Sequence, residues 1–143
     1  PPVGSTLVGS REAMERARIF RKALGGGMRQ AGILAAAGLI ALREMPGRLH
    51  EDHANARLLA EAVASHPAAM IDMGSVQTNI VIFALRNGGD ASAFTAALKQ
   101  KGVLASAIGP HGVRFVTHYD VDRSACERAA SIVSEELRRL ESC

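Results

Sequence analysis

The stretch Leu24-Gly25-Gly26-Gly27-Met28-Arg29-Gln30-Ala31-Gly32 joins two segments that both have helical patterns. Glycine accepts backbone angles that other residues avoid, and it leaves room for a ligand near the main chain. Unpaired N–H groups at the start of a helix attract an anion, and Lys22 and Arg29 place positive charge on both sides of the turn. The stretch predicts either a phosphate or carboxylate site, or a plain helix end at Gly25 followed by a tight connection.

The segments on both sides of this turn are predicted helices. Ser10 is the predicted N-cap of the first, which runs to about Leu24. The second runs from about Met28 to Arg43, is rich in Ala and Gly, and is apolar nearly all round. A helix of this composition is usually buried on several sides. We therefore expect a partner chain or another copy of this chain to cover it.

The rest of the chain alternates between predicted helices and strands. Ile80 to Phe83 is unbroken in its apolar character, which predicts a strand covered on both faces or nearly so. For the last helix, Ser124 and Glu127 have capping-box spacing, although Asp122 is an alternative cap. The predicted helices cover about residues 48–66, 92–101 and the segment after 123, and the predicted strands cover about residues 69–73, 77–85, 103–107 and 113–118.

This order of elements predicts an α/β fold with two parts. Residues 47–143 form a small domain, a sheet of three or four mostly antiparallel strands backed by helices. Residues 1–46 form an N-terminal helical arm. Pro46-Gly47 interrupts the helical pattern and marks the predicted boundary.

Composition limits the classes of protein to consider. The chain has 143 residues, 48% of them hydrophobic and 22% charged, which is typical of a globular protein. Aromatic residues make up only 3%, so we expect a core of Ala, Leu, Val, Ile and Met. The net charge of +3 is spread along the helices, which gives no indication of nucleic-acid binding.

The sequence contains no membrane or secretion signal that we recognise. The longest apolar run, Ala31 to Leu42, is too short to span a bilayer, and no signal-peptide pattern opens the chain. Cys126 and Cys143 do not form a disulfide framework. We therefore expect a reduced, cytoplasmic protein. His50 and His53 share one helix face, but such a pair is more often solvated than bound to metal, and no metal site is predicted.

Arg114 is the strongest candidate for a binding residue. It lies within the apolar strand 113–118, where Val113, Phe115 and Thr117 point to one face and Arg114 to the other. A guanidinium in such a place needs a partner, and its fork matches a carboxylate in two-point contact. Two interpretations are open: a ligand-carboxylate site, or a sheet-edge arginine paired with a structural Asp or Glu.

Several motifs together resemble one enzyme family. Pro2-Val3-Gly4-Ser5, Arg21-Lys22 and Gly25-Gly26-Gly27-Met28-Arg29-Gln30-Ala31-Gly32 are similar to segments of the low-specificity L-threonine aldolases. Gln77-Thr78-Asn79-Ile80-Val81 and Val113-Arg114-Phe115-Val116-Thr117-His118 follow in the family's order. The resemblance extends over essentially the whole chain. It implies the C-terminal portion of a pyridoxal 5'-phosphate (PLP) enzyme of the aspartate-aminotransferase type, fold-type I.

The resemblance also implies roles for individual residues. Arg114 would bind the substrate carboxylate, and Lys22, Arg29, Gly26 and Gly27 would bind the cofactor phosphate. The family's Schiff-base lysine lies a few residues before the Pro-Val-Gly-Ser segment. We therefore expect this chain to contain no catalytic residue and to be inactive alone.

The implied parent enzyme is a lyase of amino acid metabolism that cleaves L-threonine to glycine and acetaldehyde. Its implied partners are an amino-acid substrate and other copies of the chain in a homotetramer, or the missing N-terminal portion. Two alternatives stay open at this stage. One is another fold-type I PLP lyase or a transaminase, and the other is a non-catalytic oligomerisation module based on the apolar helix at 31–42.

Overall fold

The computed structural model describes residues 4–141. The predictions for Pro2, Val3 and Cys143 lie outside this range. The described chain divides into two compact units, Pro1–Arg48 and Leu49–Cys143. These are units of packing, and the assignment of residues 1–46 to an arm of a larger domain and of residues 47–143 to a small domain stays a prediction.

The first unit contains two helices, α1 (Arg11–Ala23) and α2 (Gly32–Arg43), followed by a 3-10 turn at Pro46–Arg48. The predicted cap of α1 is confirmed, because the Ser10 side chain accepts a hydrogen bond of 3.2 Å from the N–H of Ala13. Neither helix has a buried residue in this structure. The composition of α2 predicts a buried helix, but the first unit does not bury it.

The predicted start of α2 at Met28 is wrong, because the helix begins at Gly32. Gln30 adopts a positive φ of 53°. This left-handed conformation interrupts a right-handed helix, and the following Gly32 is itself a poor helix former. The helical pattern at 28–31 therefore belongs to an irregular connection.

The second unit has the α/β architecture that the sequence predicts. Its elements in chain order are α3 (Leu49–Ala64), β1 (Ala69–Met70), a 3-10 turn (Met73–Ser75), β2 (Ile80–Leu85), α4 (Ala91–Gln100), β3 (Ser106–Ile108), β4 (Gly112–Val116) and α5 (Arg123–Glu141). The strands form a four-stranded sheet in the order β1-β2-β4-β3. Every neighbouring pair is antiparallel. The predicted sheet is therefore confirmed.

Helix caps set the ends of the last two helices. Asp90 Oδ1 accepts hydrogen bonds from the N–H groups of Ser92 and Ala93 at 2.8 and 3.3 Å, so Asp90 caps α4. Asp122 Oδ1 accepts from the N–H of Ala125 at 2.7 Å. The cap of α5 is therefore Asp122, the alternative, while the Ser124 hydroxyl accepts a hydrogen bond from Arg128 instead.

The core lies between the sheet and three helices. Helix α3 packs against α5 and β2, and α4 packs against α5, β3 and β4. Val81, Val113 and Leu98 are fully buried there. Phe83 stands at the centre, with its ring centroid 5.7 Å from that of Phe115 and 6.2 Å from that of Phe94. The expectation of a core without aromatic residues is therefore wrong, because the few phenylalanines are concentrated at one place.

The prediction that β2 is covered on both faces is also wrong for this chain. Its residues alternate between exposed and buried, with Val81, Phe83 and Leu85 in the core. Ile80 and Ile82 remain 42% and 49% exposed on the other face. The unbroken apolar run arises because this second face is apolar too, although no helix of the second unit lies over it within the described residues.

Candidate functional site

The open face of the sheet carries Arg114. Its strand, β4, lies between β2 and β3, and Arg114 is directly opposite Ile82 on one side and Ser106 on the other. Val116 follows on the same face and is 44% exposed. Arg114 is therefore a cation in the middle of an exposed, mostly apolar surface, as the alternation of residues 113–118 predicts.

No acidic side chain pairs with Arg114 within residues 4–141, and the structure shows no hydrogen bond to its guanidinium there. The strand is also internal rather than at the sheet edge. The second interpretation of Arg114 required a position at the sheet edge and a structural Asp or Glu as partner. Neither is found in the described part of the chain. An unpaired guanidinium among apolar side chains is suited to hold a carboxylate from elsewhere.

A cluster of hydrogen bonds fixes the end of β4, and sequence analysis did not identify it. Thr117 is 1% exposed. Its hydroxyl donates to the Asp52 carbonyl at 2.7 Å, and its own carbonyl accepts from the Asn79 side chain at 2.7 Å. The N–H of Thr117 donates to the Asn79 carbonyl at 2.9 Å. The strand end that follows Arg114 is therefore joined to both α3 and β2.

The sequence offered only a weak signal for this cluster. Asn79 and Thr117 lie inside the two motifs around β2 and β4, but Asp52 is 65 residues from Thr117 in the chain. Nothing in the local pattern links residues so far apart. The signal that was available is a threonine on the apolar face of a strand, since a buried hydroxyl requires a hydrogen-bond partner.

The glycine turn contains a complete helix end. Gly25 has a φ of 81°. Its N–H donates to the Lys22 carbonyl at 3.2 Å, and the N–H of Gly26 donates to the Arg21 carbonyl at 2.8 Å. These two bonds form a Schellman motif, in which a left-handed glycine ends the helix. The helix-end interpretation is therefore right for Gly25, and the N–H of Gly26 is not available to an anion.

The remaining part of the turn has free donors. Within residues 4–141, the N–H groups of Gly27, Met28 and Arg29 make no hydrogen bond. A Cβ atom at Gly27 would lie 2.6 Å from Lys22 Cδ and 3.2 Å from Lys22 Nζ, so the lysine side chain passes directly over this glycine. In the same described range, neither Lys22 nor Arg29 has an acidic partner. Cations beside unpaired amides fit a phosphate.

The predicted site residues therefore fall into two groups. Lys22, Gly26, Gly27 and Arg29 lie in the first unit, where the structure brings Lys22 and Gly27 together. Arg114 lies in the second unit. Their roles in binding stay predictions. None of the helices within residues 4–141 combines the length and hydropathy that a membrane span requires.

Comparison with known proteins links the chain to enzymes. A family model described as β-eliminating lyase matches residues 1–86. Low-specificity L-threonine aldolase 1 of Arabidopsis thaliana is 34% identical over 146 residues, and the match covers 96% of this chain and 41% of the relative. Low specificity L-threonine aldolase of Escherichia coli strain K12 is 44% identical over 130 residues, which cover 91% of this chain and 37% of the relative. The chain thus spans about two fifths of the length of these relatives.

Solved structures show the same fold. One is a C-DES mutant with glycine covalently linked to its PLP cofactor, with a TM-score of 0.59 and 19% sequence identity. That match covers 73% of this chain and 28% of the other. A second is MppP soaked with the product 2-ketoarginine, with a TM-score of 0.56, 13% identity and coverage of 68% and 30%. At these identities the likeness supports the fold assignment alone.

Proposed function

Because this chain belongs to the β-eliminating lyase family, we propose that it is part of a PLP-dependent aldehyde-lyase. The substrates would be β-hydroxy-α-amino acids such as L-threonine, cleaved to glycine and acetaldehyde. The main support is that relatives matched over more than nine tenths of this chain are named low-specificity L-threonine aldolases. The expectation from the sequence motifs and the result of the comparisons agree.

Arg114 would bind the substrate carboxylate. Its guanidinium has no acidic partner within the described residues, and it stands among exposed apolar side chains. Two parallel N–H···O bonds from one guanidinium fix both the position and the orientation of a carboxylate. Such a contact would hold the Cα–Cβ bond of the substrate in a fixed direction, which is what a cleavage reaction needs from a binding residue.

Lys22, Arg29 and the N–H groups of residues 27–29 would bind the phosphate of PLP. The fit is good in charge, since a dianionic phosphate would meet two cations and unpaired amides. Gly26 and Gly27 would contribute by permitting the shape of the turn, since a Cβ atom at Gly26 would lie 3.1 Å from the Arg21 carbonyl oxygen and one at Gly27 would lie 2.6 Å from Lys22 Cδ. PLP, when bound, supplies the electron sink that carbanion formation requires.

The residues of this chain are thus assigned to binding, and none to proton transfer or to covalent attachment of the cofactor. We propose that the 143-residue chain alone does not cleave threonine. The purified chain with added PLP should release no acetaldehyde from L-threonine in a coupled assay. Measurable release would show that the catalytic groups are present here. For the whole protein we propose a cytoplasmic homo-oligomer.

The proposed activity is testable in a chimera. The matching 130-residue segment of the E. coli aldolase is replaced by the corresponding residues of this chain, and PLP binding is verified by absorbance. We expect acetaldehyde release from L-threonine. The variant Arg114→Lys should raise KM and lower kcat/KM about 30-fold or more, because lysine cannot form the two-point contact. The control, Arg86→Lys on an exposed turn, should change neither.

Two other functions remain as candidates with distinct outcomes. A chimera that binds PLP and transfers the amino group to a keto acid without releasing acetaldehyde would indicate a transaminase. Association of the chain through α1 and α2, together with a chimera that neither binds PLP nor releases acetaldehyde, would indicate an oligomerisation module. The exposed apolar residues of the first unit favour this second candidate, and they include Ile19, Phe20, Ile33 and Ile40.

A further inference from the structure

A cavity of about 460 Å³ lies in the second unit between α5, the end of β4 and the connection that follows α4. Small-molecule sites usually have volumes of roughly 300–1000 Å³. We propose that this cavity binds a small carboxylic acid with a linear apolar chain. Arg114 does not line the cavity, so the proposed site is separate from the substrate-carboxylate site and does not depend on the proposed function.

The inner wall of the cavity is apolar. Leu59, Val103, Phe115 and Cys126 line it, and all four are buried in the domain core. Burial raises the pKa of the Cys126 thiol, so the group stays protonated at neutral pH and is a poor nucleophile. A protonated, buried cysteine behaves as a small apolar side chain. The wall therefore favours an alkyl chain that is held without a covalent bond.

Most of the charged groups at the cavity already have a charged partner. Lys101 and Arg128 line it together with Asp120 and His118. Lys101 Nζ is already paired, at 2.9 Å from Glu135 and 2.8 Å from Glu136. His118 Nδ1 lies 3.4 Å from the Asp120 carboxylate, so these two groups face each other.

Arg128 is the group that is left to recognise the anion. Its only hydrogen bond within residues 4–141 goes to a neutral acceptor, the Ser124 hydroxyl, at 2.6 Å. A guanidinium without a carboxylate partner beside an apolar cavity matches a ligand with a carboxylate at one end and an alkyl chain at the other. A neutral alcohol of the same chain length would use the apolar wall but not the charge.

The first experiment measures ligand position and charge dependence. Sodium octanoate and 1-octanol are titrated separately into the purified 143-residue chain and followed by methyl NMR. We expect octanoate to shift the methyl signals of Ala129 and Ile132, which line the cavity. Arg128→Gln should weaken octanoate binding about tenfold, as loss of one charge-assisted hydrogen bond predicts, and should leave 1-octanol unchanged. Arg138→Gln, on the same helix but outside the cavity, is the control.

The second experiment fills the cavity. Ala129→Phe should abolish the octanoate-induced shift of the Ile132 methyl signal, because the added ring would occupy the space that the alkyl chain needs. The proposal is overturned if octanoate shifts map to Ile80 and Ile82, which lie on the open sheet face and outside the cavity, if Arg128→Gln binds octanoate like the parent chain, or if no binding occurs. Arg128 is exposed, so its substitution tests the proposal even if Ala129→Phe does not fold.

Discussion

At the scale of single residues, Arg114 and Thr117 illustrate two uses of a polar side chain in one strand region. Arg114 faces the open side of the sheet, and within residues 4–141 no acid pairs with it. Thr117 faces the core, and its hydroxyl donates a hydrogen bond to the Asp52 carbonyl. The first is available to a ligand, while the second holds the end of the strand in place. Their opposite directions follow from the two-residue period of the strand.

Replacement of Thr117 tests the anchoring of β4. Thr117→Val keeps the shape but removes the hydroxyl that donates to the Asp52 carbonyl at 2.7 Å. We expect a loss of about 1 kcal/mol in the free energy of unfolding, because one buried hydrogen bond between β4 and α3 is removed. Urea denaturation followed by circular dichroism measures it. The control Thr78→Val, at an exposed loop position, should stay within about 0.5 kcal/mol.

The ion pairs of Lys101 predict a pH dependence. The hydrogen bond from Lys101, with its charge, lowers the pKa of the Glu135 carboxyl below its ordinary value of 4.5. A lowered pKa contributes stability above pH 4.5, and this contribution is lost as the pH falls through the lowered value. Likewise, hydrogen bonds to Glu136 and Glu135 raise the pKa of Lys101 above 10.5, so its contribution is lost only in strong alkali.

Thermal unfolding at pH 6 and pH 3 measures the acid part of this effect. We expect the parent chain to lose more stability between these pH values than Lys101→Met does, since that variant lacks the strongest of the groups that lower the pKa of Glu135 and keeps only Arg139 and Arg138. Lys99→Met, which replaces an exposed lysine in the last turn of α4, should behave like the parent chain. Equal acid sensitivity of all three proteins would mean that the pairs do not affect folding.

At the scale of elements, helix ends are determined by side chains close by in sequence. Ser10, Asp90 and Asp122 each accept hydrogen bonds from the first turn of the helix that follows. Gly25 ends α1 through its left-handed conformation. The sequence near each of these helix ends therefore determines that the helix ends there. It does not decide between two neighbouring cap candidates, such as Asp122 and Ser124.

The α5 start provides a matched pair of variants. Asp122→Ala should cost about 1 kcal/mol, because the N–H of Ala125 loses its acceptor at 2.7 Å. Ser124→Ala should change the free energy of unfolding by less than about 0.5 kcal/mol, since its hydroxyl bonds only with the exposed Arg128 side chain. Urea denaturation of both variants gives the comparison. A larger loss for Ser124→Ala would favour the capping box instead.

At the scale of the whole molecule, the two units differ in how they satisfy the hydrophobic effect. The second unit buries a core that contains Phe83, Phe94 and Phe115. The first unit buries no residue of α1 or α2, although α2 is apolar along most of its length. Contiguous exposed apolar surface of this kind is uncommon in a stable monomer and usually marks an interface.

We therefore predict that the chain associates in solution. Light scattering at increasing protein concentration should show a mass that rises above 15.1 kDa. Ile33→Glu and Ile40→Glu, which place charge on α2, should shift the association to higher concentration. Arg16→Glu on an exposed part of α1 is the control. A dilute monomer with unchanged helicity would contradict the prediction.

Local sequence by itself determined the class of fold, the presence of the helices and the cap of α1. It also determined the alternation by which Arg114 and Phe115 point to opposite faces of the sheet. These depend on hydrogen bonds and side-chain periods within a few residues. The tertiary structure alone decided which face of β2 is covered, where the phenylalanines gather, and that Asp52, Asn79 and Thr117 meet. Those features depend on contacts between different elements, up to 65 residues apart in the chain, and no local pattern records them.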